Sequence, residues 1–481
     1  MDTPPGAGTN YGEAAMKIRF LGATRNVTGS RFLLESNGQH ILVDCGLYQE
    51  RDFAERNWNP FPFPPARIDA VILTHAHLDH SGYLPKLVME GFQGRIFCTP
   101  PTAEITGISL QDSGRIQEED AEKKGLRHKR EGRKGPHPEE ALYTALDAER
   151  VTPLFETYHY EREFQVGPGI TASLHEAGHI LGAAMVRVRV REGRSNKTVI
   201  FSGDIGRWDK PILCDPTLFD SADAVVMETT YGNKSHGNQA EAGLKLAGII
   251  TETAARKGNI VIPTFAIERT QELLYGLGQF LREDRIPHLV TFLDSPMAIS
   301  VTGIFKKYPE YFDEATKKII RTGHSPFDFP LLNQTRTAAA SKAINHIRGS
   351  AIIMAGSGMC NGGRIKHHLV SNIERPESTI VFVGYQARGT LGRQILERPG
   401  SVRILGQNYQ VRAKVEQLDG LSAHADREEL LRWLDGFQKG PDRIFLVHGE
   451  EESTADFGKL LKERKPGAEV ITPAFLGEHE L

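Results

Sequence analysis

The chain has 481 residues, 39% of them hydrophobic and 25% charged, which is enough for about two to four domains of ordinary size. This composition excludes wholesale disorder and a small disulfide-stapled fold. Lys and Arg number 58 against 61 Asp and Glu, a net charge of −3, which excludes a uniformly basic coat for nucleic acid but allows a local basic groove.

The first 15 residues are small, polar and rich in Pro and Gly, without the basic and apolar regions of a signal peptide. We therefore expect a disordered tail over 1–15 and a fold that begins at Met16. The 4 cysteines are far apart and form no C-x-x-C pair, which fits a reducing cytoplasm. No stretch approaches the roughly 18 apolar residues of a membrane helix, so we expect a cytoplasmic protein with no membrane partner.

Short strands and turns alternate in the first half of the sequence, as in a β-sandwich. Strands are predicted over 17–20, 31–35, 40–43, 70–73, 184–190, 198–201 and 224–227. The strand at 70–73 is short, apolar and β-branched, which is typical of a buried strand. Past residue 233, strands alternate with helices, including helices over 239–255 and 268–280. This alternation predicts a parallel α/β sheet.

Three histidines and one aspartate occupy six consecutive positions directly after the buried strand, in the segment 74–80 with the sequence T-H-A-H-L-D-H. Imidazole and carboxylate are the usual nitrogen and oxygen ligands of catalytic zinc. His75 and His77 can serve one ion. Asp79 and His80 can serve a neighbouring one. The alternative is a polar turn with incidental histidines, which the clustering disfavours.

Three later residues at strand ends supply further donors. His179 lies in a glycine-flanked loop before a strand, Asp204 lies between two glycines after a strand, and His448 follows another strand. A lone histidine or aspartate in a loop more often has a structural role. In this order, after the 74–80 segment, the three residues predict a two-metal centre. Asp204 can bridge both ions, because one carboxylate spans a pair about 3.5–4 Å apart. His175 is interpreted as a bystander.

Two further segments are candidates for gripping a phosphate backbone. Seven basic residues within 123–134 are interpreted mainly as a solvated loop face, with a phosphate-attracting rim as the alternative. Backbone amides of the glycine-rich loop 356–364 can cradle a phosphate, although a tight glycine turn is the simpler interpretation. The candidate contacts to such a backbone are Arg269, Ser357, Gly358, Met359, Arg364 and Arg388. For the arginines, surface solvation is the alternative.

Together these segments resemble the metallo-β-lactamase superfamily and, within it, the β-CASP branch of nucleases. The superfamily resemblance rests on the 74–80 segment, His179 and Asp204. The β-CASP resemblance rests on the segments that begin at Glu228, Pro263, Asp294, Gly356, Leu421 and His448. It covers nearly the whole chain and is closest to the bacterial and archaeal relatives of the pre-mRNA 3′-end processing endonuclease, and more distant to ribonuclease J. We expect neither the KH domains of the archaeal members nor a long C-terminal extension of the ribonuclease J kind.

The resemblance implies an α/β fold in two parts. A metallo-β-lactamase αββα sandwich, made from both ends of the chain, receives an inserted β-CASP α/β domain. The expected limits are 16–232 and 421–481 for the sandwich and 233–420 for the insertion. The change near residue 233, from short strands and turns to alternating strands and helices, agrees with these limits.

The resemblance also implies a zinc-dependent ribonuclease that hydrolyses single-stranded RNA, as an endonuclease, a 5′-exonuclease or both, leaving 5′-phosphate and 3′-hydroxyl ends. The ligands of two Zn²⁺ ions per chain would be His75, His77, Asp79, His80, His179, Asp204 and His448. A hydroxide activated by the two metals would attack the phosphate. His424 would protonate the leaving oxygen, and Glu228 would hold its ring. Asp79 belongs to both the ligand set and the catalytic set.

Two other functions stay open at this point. One is a small-molecule hydrolase of the same superfamily, which the inserted domain and His424 disfavour. The other is a catalytically inactive subunit of an RNA-processing complex, which the complete ligand set disfavours. The alternative for His424 is a helix-capping residue, and for Glu228 a solvated carboxylate. The choice between RNA and DNA, the natural RNA and the oligomeric state, a homodimer included, are also open.

Overall fold

The computed structural model describes residues 16–135, 139–192, 195–347, 349–387 and 389–481. The strands are β1 (Lys17–Phe20), β2 (Phe32–Ser36), β3 (Gln39–Val43), β4 (Ala70–Ile72), β5 (Arg95–Cys98), β6 (Phe155–Thr157), β7 (Glu163–Gly167), β8 (Ile170–Glu176), β9 (Ala184–Glu192), β10 (Ser195–Phe201), β11 (Ala224–Glu228), β12 (Ile260–Pro263), β13 (Val290–Asp294), β14 (Leu332–Gln334), β15 (Ala351–Ala355), β16 (Thr379–Phe382), β17 (Ser401–Ile404), β18 (Gln407–Gln410), β19 (Lys414–Gln417), β20 (Arg443–Val447), β21 (Glu469–Ile471) and β22 (Glu478–Glu480).

Helices connect most of these strands. The α-helices are α1 (Leu78–Ser81), α2 (Leu84–Met89), α3 (Pro100–Glu131), α4 (Ala145–Glu149), α5 (Gln239–Ala255), α6 (Arg269–Arg282), α7 (Pro296–Lys307), α8 (Glu314–Arg321), α9 (Ala338–Ile344), α10 (Ile365–Asn372), α11 (Leu391–Leu396), α12 (Arg427–Asp435) and α13 (Glu451–Arg464). Short 3₁₀ turns lie at Ala54–Asn57, Pro65–Arg67, Thr152–Leu154 and Pro309–Tyr311.

Two seven-stranded sheets form a sandwich. Their orders are β22-β1-β2-β3-β4-β5-β6 and β21-β20-β11-β10-β9-β8-β7. β1 pairs antiparallel with β22, and β11 pairs parallel with β20. Strands from both sides of the insertion therefore build both layers, so the predicted αββα sandwich made from two separated stretches of chain is confirmed.

The sandwich is held by apolar side chains that alternate along its strands and meet between the layers. Phe20 and Phe32 from the first sheet pack with Phe201 and Phe445 from the second, and the Phe20 and Phe445 ring centroids are 5.1 Å apart. Another apolar cluster lies on the first sheet and includes Tyr83, next to α2. With an apolar cluster on this side as well, the inner strand β4 is buried on both faces, which explains its continuous apolar sequence.

The inserted part is built on a six-stranded sheet of order β14-β13-β15-β12-β16-β19, in which all pairs are parallel. The predicted alternation of strand and helix is thus confirmed. One continuous apolar cluster joins Met227 and Leu446 of the sandwich to Ile262 and Leu274 of the insertion. The limits 233 and 420 between the two parts remain a prediction, and the tail predicted over 1–15 lies outside the described residues.

Helix α3 is 32 residues long and was not anticipated as a helix. Its start is fixed by Thr99, whose side chain accepts from the Thr102 amide, and its end by Gly132 at φ 64°. Five of the seven basic residues of 123–134 lie on its last turns, so the interpretation as a loop face is wrong. Lys, Arg and Glu favour helix when the chain has no competing turn signal, which explains the difference.

Candidate metal centre

The candidate ligands lie on segments that leave the sandwich at one edge. β3 runs parallel to β4, and β10, β11 and β20 run parallel to one another. The carboxyl ends of such strands meet at a common edge, which is where α/β folds bind ligands. The segments are 74–80 after β4, 177–183 after β8, 202–206 after β10, Glu228 at the end of β11 and His448 after β20.

Three histidines and one carboxylate oxygen form the first donor group. His77 Nδ1 lies 3.1 Å from His75 Nε2 and 3.2 Å from His179 Nε2. Asp204 Oδ2 lies 3.3 Å from His75 Nε2 and 3.4 Å from His179 Nε2. His75, His179 and Asp204 are buried and His77 is half-buried, so four ligand atoms converge in a sheltered position.

The other oxygen of Asp204 faces the second donor group. His80 Nε2 lies 3.1 Å from Asp204 Oδ1 and 3.1 Å from His448 Nε2. His448 Nε2 lies 3.4 Å from Asp79 Oδ2 and 3.6 Å from Asp204 Oδ1. The two groups therefore share Asp204, one oxygen each, and its bridging of two ions stays a prediction.

These residues fit a metal ion in each group. With Zn–N bonds of about 2.0–2.1 Å, tetrahedral ligand atoms lie about 3.3–3.4 Å apart, and the contacts above span 3.1 to 3.6 Å. Asp204 Oδ1 is buried and, among the described residues, has no hydrogen-bond partner, since its contact with His80 lacks hydrogen-bond geometry. Burying a carboxylate oxygen in this way is costly unless a cation neutralises it. The donor set thus supports a metal cofactor.

In the first donor group, burial and charge set the protonation that metal binding requires. Burial lowers the pKa of His75 to about 3 and that of His179 well below its ordinary value. Both rings are therefore neutral, the form that binds metal. For Asp204, burial alone would raise the pKa, but neighbouring histidines, His448 and His80 first among them, outweigh it and hold the pKa well below its ordinary value. Asp204 is thus ionised.

A further carboxylate, Asp44, supports the ligands from behind. His80 Nδ1 lies 2.7 Å from Asp44 Oδ2, and Thr74 donates to Asp44 from both its amide and its hydroxyl at 2.8 Å. Such partners fix the tautomer and orientation of a metal-binding histidine. Asp44 was not predicted from the sequence. The available signal was its place directly after the buried strand β3, the neighbour of β4.

His424 and Glu228 form a pair beside the first group. His424 Nδ1 lies 3.2 Å from Glu228 Oε2 and 3.9 Å from Asp204 Oδ2. The ring centroids of His424 and His179 are 4.6 Å apart. Burial lowers the pKa of His424, but the Glu228 and Asp204 carboxylates outweigh it and raise the pKa to about 9. The ring therefore carries a proton in the metal-free protein.

The simpler interpretations of this pair do not describe the structure. Glu228 is buried, and its Oε1 accepts from the Ile205 amide at 2.6 Å, so it is not a solvated carboxylate. The cap of α12 is Asp426, whose side chain accepts from two amides of the first turn, so His424 is free of that role. His175 belongs to none of the donor groups and packs on Phe219, with ring centroids 4.9 Å apart.

The candidate RNA contacts have partners inside the protein. Arg269 is buried and pairs with Glu272. Arg364 Nη1 lies 2.6 Å from Asp294 Oδ1 and also donates to the Thr335 carbonyl at 2.9 Å. The charges of both arginines are therefore already neutralised, so their contact with RNA stays a prediction without geometric support.

The glycine-rich loop is tightly packed. The Ser357 hydroxyl donates to the Gly362 carbonyl at 3.4 Å, and the Met359 carbonyl accepts from the Gly392 amide at 3.1 Å. A Cβ at Gly358 would lie 2.7 Å from the Phe265 ring, so glycine is required for this close approach. A tight turn explains these contacts, and phosphate binding stays a prediction. Arg388 lies outside the described residues.

None of the helices that the structure describes is both long and apolar enough to cross a membrane. Three family models match the sequence: the metallo-beta-lactamase superfamily over 26–99, the Beta-Casp domain over 270–395 and the Zn-dependent metallo-hydrolase RNA specificity domain over 408–473. The last of these spans His424 and His448. The models thus match segments on both sides of the insertion and the insertion itself.

Similar proteins agree with these matches. Ribonuclease TTHA0252 of Thermus thermophilus is 40% identical over 460 residues, covering 96% of this chain and 99% of that protein. The transcription termination factor FttA of Methanosarcina mazei is 34% identical over 461 residues, covering 93% of this chain and 69% of that protein. A crystal structure of a protein of unknown function from Enterococcus faecalis V583 superimposes with a TM-score of 0.55 at 11% identity, covering 97% of this chain and 100% of that chain, which shows a shared fold. The chain belongs to the β-CASP ribonuclease family of the metallo-β-lactamase superfamily.

Proposed function

We propose that this protein is a zinc-dependent ribonuclease that hydrolyses phosphodiester bonds of single-stranded RNA with two metal ions and His424 as general acid. The observation that carries the proposal is the pair of donor groups sharing Asp204, with the His424–Glu228 pair within 3.9 Å of the shared carboxylate. A small-molecule hydrolase would not need a general acid such as His424 beside the metal ligands. An inactive subunit needs no complete donor set.

The chain's own residues would hold two zinc ions in the two donor groups. His75, His77 and His179 belong to one ion, Asp79, His80 and His448 to the other, and Asp204 to both. When bound, zinc supplies Lewis-acid activation of water near neutral pH and neutralises phosphate charge. Asp79, which has the dual assignment, is half-buried and lies at the mouth of the second group.

His424 is placed to give up a proton. Because its Nδ1 faces Glu228, Nε2 is the ring nitrogen left to donate to the departing oxygen. Glu228 favours the imidazolium and keeps the ring in one orientation. The position of Glu228 is fixed by the Ile205 amide, which is adjacent in sequence to Asp204. The same short segment therefore positions both the shared ligand and the partner of the acid.

RNA is the proposed substrate for two reasons. The family model that spans His424 and His448 describes an RNA specificity domain, and the Thermus relative is named a ribonuclease. The site lies where the sandwich meets the insertion, and clefts between two parts of a chain are the usual place for a substrate. The FttA relative is named a transcription termination factor. This name favours a second, narrower candidate function, in which the protein cleaves nascent transcripts and thereby terminates transcription.

The test is cleavage of a 5′-labelled unstructured RNA by the zinc-loaded protein. Its DNA twin and a blunt RNA duplex of the same sequence are compared, each RNA with a 5′-phosphate or a 5′-hydroxyl. We expect cleavage of single-stranded RNA and protection of the duplex, since a closed cleft admits one strand more readily. His424→Ala protein from the same purification controls for contaminating nucleases. Turnover of a chromogenic ester with no cleavage of any RNA would reject the proposal.

A further inference from the structure

Among the hydrogen bonds that hold the loop carrying His179, residues 177–183, three sets lie on either side of the histidine. The Gly178 amide donates to Glu176 Oε1 at 2.7 Å. The Gly182 carbonyl accepts from the hydroxyls of Thr99 and Thr102 at 2.7 and 2.8 Å. These two sets belong to the sandwich, so the loop is anchored on both sides of His179 by its own part of the chain.

The third bond crosses to the inserted part. The Leu181 amide donates to Glu268 Oε2 at 3.1 Å, and Glu268 lies in the segment between β12 and α6. Glu268 is 2% exposed, and its other oxygen, Oε1, is buried with no hydrogen-bond partner among the described residues. Placing a carboxyl group here is costly. The bond to Leu181 is the one hydrogen bond of this side chain among the described residues, and Lys210 lies near it as an opposite charge.

The backbone conformation at Glu268 is a second, independent indication that its side chain has a role. Its φ of 65° and ψ of −61°, with the Arg269 amide donating to the Ile267 carbonyl at 2.8 Å, form a γ-turn of the rare, strained kind. Glycine adopts positive φ at no steric cost, whereas glutamate does not. Strain of this kind at a residue with a buried side chain points to a role for that side chain.

We propose that Glu268 is a positioning residue for the metal centre: from the inserted part it fixes the Leu181 amide and thereby the placement of His179 in the first donor group. This inference rests on the proposed metal site. It makes the first ion's affinity depend on the insertion, although the insertion contributes no ligand to that ion.

General docking of the two parts has other supports. The Lys210 ammonium lies 2.6 Å from Glu272 Oε1, and both side chains are buried. The apolar cluster described above spans the same boundary. Docking therefore does not require Glu268, and the bond to Leu181 can be tested separately from it.

The test compares three full-length variants. Glu268→Gly removes the acceptor and relieves the turn, Glu268→Gln keeps an acceptor oxygen without the charge, and Glu161→Gly is the matched control. Glu161 is an exposed glutamate with φ 63° whose side chain takes no part in the site. The readouts are hydrogen exchange of the loop amides in the metal-free protein, zinc affinity by competition with a chromophoric chelator, and the thermal midpoint.

For Glu268→Gly we expect exchange at Leu181 to be about tenfold faster or more, and the affinity for one zinc ion to fall about 10–100-fold. The thermal midpoint of the metal-free protein should not fall, because the turn is relieved. Glu268→Gln and Glu161→Gly should keep wild-type exchange and affinity.

Wild-type exchange and affinity in Glu268→Gly would overturn the inference. So would an equal loss in Glu268→Gln, or faster exchange spread over α6 and the whole boundary, since these outcomes indicate charge or docking instead of the loop bond. None of the readouts uses RNA. A zinc-affinity shift in a protein that cleaves no RNA would therefore reject the proposed function and leave this inference standing.

Discussion

The two donor groups of the metal centre differ in composition and in where their residues come from. The first has three imidazoles and one carboxylate oxygen, all from residues up to Asp204. The second has two imidazoles and two carboxylate oxygens, and it needs His448 from beyond the insertion. The first group also has His424 beside it, and Glu268 contacts its 177–183 loop from across the boundary through the Leu181 amide.

Their supporting partners differ as well. In the first group, His179 Nδ1 faces the neutral Ala423 carbonyl at 3.3 Å. In the second, His80 Nδ1 faces the Asp44 carboxylate at 2.7 Å, and His448 Nδ1 faces the Thr230 hydroxyl at 3.1 Å. The second group is therefore the more anionic. Metal binding at the two groups should for that reason respond separately to substitutions, except at the residue that they share.

The largest effect is expected at that shared residue. Asp204→Ala removes one oxygen from each group, so zinc should fall well below the two equivalents proposed for the wild type. RNA turnover should drop by more than the roughly 10²–10⁴-fold cost of losing a general acid. Elemental analysis of protein purified without chelator measures the zinc. Full occupancy in this variant would contradict the bridging assignment and with it the link between the groups.

His448→Ala should empty the second group and spare the first. It removes one of two imidazoles from that group and none from the other, so about one equivalent of zinc should remain. Elemental analysis and a chelator competition distinguish the release of one ion from the release of two. Release of both ions would show that the groups assemble as one unit and do not differ in the way described above.

His424→Ala should leave both groups filled. His424 faces Glu228 and supplies no atom to either donor group, so zinc content should stay at the wild-type level while turnover falls about 10²–10⁴-fold. The comparison with His448→Ala, measured side by side, separates acid from ligand. The division of roles is wrong if the two variants lose zinc to the same extent.

Asp44→Asn tests the charge behind the second group. It keeps an acceptor for Thr74 but removes the negative charge that His80 faces. Affinity for one ion should weaken about 10–100-fold, the usual cost of losing such a partner. Chelator competition gives the affinity, and Thr230→Val, which removes a neutral partner of His448, is the matched control. Equal effects of the two variants would mean that the charge is unimportant.

The smallest effect is expected far from both groups, on the basic end of α3. Lys123 and Arg127 are exposed there. If they attract the RNA backbone, converting them to Gln should reduce the slope of log affinity against log salt by about 0.7 for each phosphate that the variant no longer neutralises. Zinc content should be unchanged in both groups. An unchanged slope would assign this end of the helix to plain solvation.

The candidate metal ligands could be singled out from the sequence because their chemistry and spacing are both visible locally. Six positions after one strand hold four donors, and the later donors each lie next to a strand end, so the common edge of a sheet brings them together. Asp44 also follows a strand, but a single aspartate before a cysteine has no distinctive chemistry until its contact with His80 is seen.

The roles that were not predictable depend on partners distant in sequence. Arg364 looks like a free cation until Asp294, 70 positions earlier, is seen beside it. Glu268 looks like an ordinary helix-start residue until Leu181 is found on its carboxylate, 87 positions away. The parallel sheet of the insertion followed from alternation of strands and helices, and the αββα sandwich followed from the family resemblance. The length of α3 depended on the absence of a stop signal before Gly132, which propensity alone does not reveal.

The position of His448 in the chain has a consequence for biosynthesis. It lies 368 residues after His80, its partner in the second group. At about 5–20 residues per second, a ribosome needs about 20–70 s to make that stretch. Once Asp204 has been made, the nascent chain holds the first group's ligands but not yet the second group, and the proposed acid His424 also arrives late. An enzyme that degrades RNA therefore stays incomplete until most of its own message has been read.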